Sequence, residues 1–113
     1  MKDDIRRDDR GEVTVLSVPE RLDTLLSDAL DQNCNALLEE ERYKVVLDCE
    51  HLQFLNSTVI AILVSYYQRA AKNSGDLRFA NVSIPVEDVL RLTKLDTVFK
   101  WYPSVDEAVS SFE

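Results

Sequence analysis

Two glycines and three prolines in 113 residues leave this chain short of the residues that break a backbone. The sequence is 45% hydrophobic and carries charges of both signs along its length, so it lacks the composition of a disordered segment. Its length suits one globular domain, residues 1–113, with enough apolar content to fill a core. Histidine occurs once, at His51, with no nucleophile placed near it by a recognised local motif. The common hydrolytic constellations are therefore missing, and His51 reads as a solvated loop residue. Cys34 and Cys49 are too few and too widely spaced for a metal-ligand pattern, and both read as reduced, small apolar fillers. Neither a P-loop nor a GxGxxG is present, so no dedicated nucleotide cradle is signalled. The expectation is a protein without metal or cofactor, and not an enzyme.

Basic clusters are lacking too. A formal net charge of −8, unrelieved by any local run of Lys and Arg, would repel a phosphate backbone and argues against nucleic acid as a direct partner. No apolar run approaches the roughly 20 residues that span a bilayer, which argues against membrane insertion. Met1 to Arg10 is charged where a signal peptide would be apolar, so the expected location is the cytoplasm. Asn56-Ser57-Thr58 and Asn81-Val82-Ser83 match the glycosylation pattern, but without secretion the match carries no weight.

What is present is an alternation of strand and helix patterns. Residues 4 to 18 read as two short strands around a turn at Arg10-Gly11, the second being Val13 to Val18. Thr24 to Glu40 reads as a helix capped by Asp23 or Thr24. Val45, Val46 and Leu47 in a row, within Lys44 to Asp48, suit a central strand covered on both faces. Leu52 to Leu55 leads into a helix from about Ser57 to Asn73, stopped at Ser74-Gly75. Leu77 to Ala80 reads as a strand, Val86 to Leu92 as a short amphipathic helix, Val98 to Tyr102 as a last strand and Val105 to Phe112 as a final helix. The implied class is α/β: a mixed, largely parallel sheet of about four to five strands, with helices mainly on one face.

The helix after Asn56 carries the most information. Ile60, Leu63, Val64, Tyr67 and Ala71 form the expected core-facing stripe, and Val59, Ile62, Tyr66 and Ala70 a second apolar column beside it. Together they span an arc of about 200°, wider than the roughly 100° that a helix lying on a sheet must bury. Two alternatives follow: either neighbouring helices cover the second column, or part of it faces a partner.

Val45-Val46-Leu47-Asp48, then Leu52, Phe54, Leu55 and Asn56-Ser57-Thr58 leading into an apolar helix, resemble the strand, loop and phosphorylation-site junction of the STAS domains. Within that family the sequence is similar to the bacterial anti-sigma factor antagonists. A second similar stretch runs through Leu77-Arg78-Phe79-Ala80-Asn81-Val82, Val89-Leu90-Arg91-Leu92-Thr93, Leu95, Val98-Phe99 and Ser104-Val105-Asp106-Glu107-Ala108. The resemblance covers roughly Gly11 to Phe112. Asn56 stands where the family usually has Asp, Val59 where it has Gly, and Lys94 where glycine is common.

The resemblance implies a partner switch that regulates transcription. In such proteins the serine at the position of Ser57 is phosphorylated by a kinase that is also the anti-sigma factor, and a PP2C-type phosphatase reverses the modification. The unphosphorylated form binds the kinase and frees the sigma factor. By this carry-over Ser57 is the acceptor, Thr58 a secondary acceptor, and Asn56, Val59, Ile62 and Tyr66 the partner-binding residues of a monomer. The alternative is a divergent, non-phosphorylated STAS scaffold or accessory subunit of a signalling complex or lipid transporter.

Overall fold

A turn with Gly11 at φ 62° folds β1 (Arg6–Arg10) back on β2 (Val13–Ser17), and this antiparallel hairpin opens the sheet in the computed structural model, which describes residues 4–113. Residues 1–3, part of the charged N-terminal stretch, lie outside the described residues. Every residue of β1 is exposed, and its sequence Arg-Arg-Asp-Asp-Arg charges a sheet edge that would otherwise invite strand pairing. Arg7 reinforces it by bonding both Asp9 and Glu40, the latter through two guanidinium nitrogens at 2.6 and 2.9 Å.

The chain then adds β3 (Arg21–Leu22), α1 (Thr24–Glu39), β4 (Lys44–Asp48), β5 (Phe54–Leu55), α2 (Ser57–Ala71), β6 (Asp76–Ala80), α3 (Ile84–Leu92), β7 (Lys100–Tyr102) and α4 (Val105–Ser110). Five strands form the main sheet in the order β1-β2-β4-β6-β7, all parallel after the hairpin. The Val45-Val46-Leu47 run is central, as its apolarity requires. Val45 and Leu47 face the large core beneath α1, α2 and α3, while Val46 faces a smaller one with Val13, Val15 and Ala80 under α4. Three helices thus cover one face and α4 the other. Phe79, Leu16, Leu77, Leu30 and Leu37 are fully buried in the larger core and supply much of its apolar area.

Several details differ from the sequence reading. β3 and β5, two residues each, pair parallel with one another outside the main sheet, too short for any periodicity to reveal. Val98 precedes the last strand instead of opening it, because Leu95–Thr97 closes a 3-10 turn entered by Lys94 at φ 62°. Lys94 holds a left-handed conformation there that a glycine adopts at less cost. Among the described residues, no helix is long and apolar enough to cross a membrane.

Candidate functional site

The small β3–β5 pair sets the site. Its register matches Leu22 with Leu55, both buried, so the two segments leave the pair side by side and each starts a helix after a single capping residue. Asp23 caps α1 by accepting from the Leu25 amide at 3.1 Å, and Asn56 caps α2 by accepting from the Val59 amide at 2.9 Å. The Asn56 amide donates to the Leu22 carbonyl at 3.3 Å, and the amides of Gln53 and Phe54 both donate to the Glu20 carbonyl. Two helix N-termini are therefore locked together, their positive dipole ends on one rim of the molecule.

Ser57 and Thr58 occupy the first turn of α2 and are exposed. Phe54, 38% exposed, lies beside them in sequence, with the Arg21 guanidinium 4.2 Å from its ring centroid and Arg21 Nε 3.8 Å from Asp23. Leu25, in the first turn of α1, is 87% exposed. The rim thus combines two hydroxyls, two apolar side chains, one cation and the two caps. A phosphoryl group on Ser57 would be stabilised by the helix dipole, and its charge would alter an otherwise part-apolar surface.

The partner-facing column expected on α2 is corrected by burial. Val59 and Tyr66 are buried, as are Leu63 and Ala70, and Ile62 is half-buried against the core. Of the expected core stripe, Ile60, Val64 and Tyr67 are only half-buried and Ala71 is exposed. The buried face is thus turned by about a quarter of the helix circumference from the expected one. The cause is that α2 is flanked by α1 as well as by the sheet: Tyr66 Oη reaches the Arg42 carbonyl at 2.8 Å beyond α1, and Tyr67 meets the Phe99 ring edge-on at 5.5 Å. Neighbouring elements cover the second column. Val59, fully buried, consequently adds no bulk to the rim.

Acid-base chemistry has little to draw on here. His51 is exposed, 3.8 Å from Glu50, and no grouping of three or more His, Cys, Asp or Glu that could hold a metal exists among the described residues. Burial pushes the Cys34 thiol up to about 12 and raises Cys49 as well, so both are thiols at neutral pH.

Residues 4–108 match the model of the STAS domain. The chain belongs to the STAS domain family. A STAS structure described as an anti-sigma factor antagonist domain protein from Planctomyces limnophilus is 28% identical, with a TM-score of 0.85 over 97% of this chain and 98% of that one. An anti-sigma factor antagonist from Mycobacterium paratuberculosis is 27% identical, with a TM-score of 0.83 over 95% and 91% of the two chains. The Bacillus cell fate determinant SpoIIAA in its phosphorylated form shares the fold, with a TM-score of 0.78 over 96% and 99% of the chains at 14% identity.

Within this STAS domain, Asn56, Ser57 and Thr58 come together on the rim, Val59 and Tyr66 turn inward, and Ile62 is half-buried against the core. Sequence reasoning missed Arg21, Leu25 and Phe54. A signal for Leu25 existed: at about 100° per residue it lies about 140° from Leu30 and about 120° from Leu37, outside a stripe roughly 100° wide. For Phe54 and Arg21 there was none, because two-residue strands carry no pattern.

Proposed function

We propose that this STAS domain is an anti-anti-sigma factor: a cytoplasmic, monomeric binding protein that engages an anti-sigma factor serine kinase and is switched off by phosphorylation of Ser57. The observation that carries the proposal is the exposed Ser57 hydroxyl in the first turn of a capped helix, at the end of the β3–β5 pair where Phe54 and, in the first turn of α1, Leu25 are also exposed. Thr58 is a secondary acceptor. The contact surface consists of Asn56, Arg21, Leu25 and Phe54, with Ile62 at its margin, and a PP2C-type phosphatase resets the switch. The role is binding without catalysis. Two relatives described as anti-sigma factor antagonists and a fold relative known in a phosphorylated form support the reading.

A second reading, a STAS scaffold or accessory subunit that is never phosphorylated, is favoured by one feature. Asn56 caps the helix as an aspartate would but offers no carboxylate beside the acceptor hydroxyl. Capture of partners from native lysate, with mass spectrometry of both the partners and Ser57, separates the two. A histidine-kinase-like ATPase in the capture and phosphate on Ser57 support the switch. Stable signalling or transporter subunits with Ser57 always unmodified support the scaffold.

A further inference from the structure

A crevice at the carboxyl ends of β6 and β7 follows from the topology. α1, α2 and α3 cross over on one face of the sheet, whereas the chain leaving β7 turns to the other face to form α4. The adjacent strands β6 and β7 thus send their chains to opposite sides, and in open α/β sheets this parting is where ligands bind. A cavity of about 310 Å³ lies there, lined by Asn81, Val82, Glu87, Trp101, Tyr102 and Pro103, none of which belongs to the Ser57 rim. Its volume falls at the lower end of the range for small-molecule sites, roughly 300 to 1,000 Å³.

The walls are held in place. Asn81 keeps a left-handed backbone, φ 58°, while its amide donates to the Tyr102 carbonyl at 3.1 Å and its Nδ2 donates to Asp48 Oδ1 at 3.1 Å. Asp48 is itself fixed by the Glu50 amide and by Ser17 Oγ. Trp101 packs with the core on the α3 side and Tyr102 with the core on the α4 side, so aromatic side chains flank the opening on both faces. Among the described residues, the lining carries one charge, the Glu87 carboxylate, and no Lys or Arg. Arg91 touches Glu87 from the next turn at 2.7 Å, a surface ion pair weak enough for a ligand cation to compete with.

Aromatic walls with a single carboxylate are the chemistry that recognises a cation carrying an apolar body, and they disfavour phosphates and carboxylates. We propose that this crevice is a binding site for a small organic amine, its ammonium group on Glu87 and its apolar body between Trp101 and Val82.

Trp101 is the only tryptophan, so its emission reports on the site directly. The probes are phenethylamine, the neutral 2-phenylethanol and the anionic phenylacetate, each titrated against the intact chain. A saturable change with phenethylamine at about tenfold lower concentration than with 2-phenylethanol, and none with phenylacetate, is the expected result. Glu87→Gln removes the preference for the amine over the alcohol, and Arg91→Gln, which frees Glu87, strengthens amine binding several-fold. Asp28→Asn, an exposed carboxylate on α1, leaves it unchanged, which separates the site from the general attraction of an acidic protein. The proposal is overturned by no saturable response up to millimolar amine, by equal responses to the three probes, or by a preference that Glu87→Gln and Arg91→Gln leave unmoved.

Discussion

The phenolic oxygen of Tyr66 donates a 2.8 Å hydrogen bond to the backbone carbonyl of Arg42, joining α2 to the segment that enters β4. Arg42 extends the tie with its own side chain, donating to Thr14 Oγ1 at 2.8 Å and to the Gly11 carbonyl at 2.7 Å in the opening hairpin. A residue expected to face a partner is instead a strut between α2 and the far edge of the sheet. Tyr66→Phe should therefore lower stability by about 1 kcal/mol in a urea titration, while leaving partner affinity unchanged.

The α2 face makes a second expectation quantitative. Leu63 is buried and Ile62 only half-buried, so Leu63→Ala should cost about 2 to 5 kcal/mol and Ile62→Ala clearly less. Denaturant midpoints at equal slope check this, and equal losses would mean that Ile62 is as deeply packed as Leu63.

The Asn56 cap should be worth about 1 kcal/mol by Asn56→Ala. Asn56→Asp keeps the capping oxygen and adds a negative charge where the helix dipole favours one, so it should match or exceed the wild-type thermal midpoint. A large loss with Asp would show that the amide nitrogen, and not the capping oxygen, holds the junction.

Burial raises the pKa of Cys34, from 9.0 to about 12, and also those of Cys49 and Tyr66. Each ionises first in the unfolded chain. The stability tied to keeping them neutral is fully present below their unfolded values and is lost as pH rises through the folded ones. Stability should thus decline from about pH 9 towards pH 12. Cys34→Ala should be less stable at pH 7, through lost packing, yet decline less steeply over that window; urea titrations across the pH series check both.

Much of this architecture was legible because it rests on patterns longer than a few residues. Val45-Val46-Leu47, a short apolar run bounded by charge, suits a strand covered on both faces, and Asn56-Ser57 before an apolar run is a strong helix-start signal. The β3–β5 pair was illegible because its register depends on the tertiary fold and its four residues have no period. The facing of α2 was misread because an apolar arc of about 200° does not say which neighbours will cover it. That depended on how α1 and Phe99 pack against it, and so did the identity of the exposed residues around Ser57. The crevice between β6 and β7 depends on α4 lying on the opposite face, which no local pattern encodes.

The most direct test of the account is titration of wild type, Ser57→Ala and Ser57→Asp against the cognate kinase, with a thermal melt of each. Ser57 is exposed at a helix start, where added negative charge is favourable, so all three should melt alike. Ser57→Ala should bind at least as tightly as wild type. Ser57→Asp should bind tenfold more weakly or worse, since a penalty of about 1.4 kcal/mol for desolvating that charge beside Phe54 and Leu25 already gives that factor. Equal affinity of Ser57→Asp and wild type, with no phosphate found on Ser57 or Thr58 in the cell, would contradict the switch.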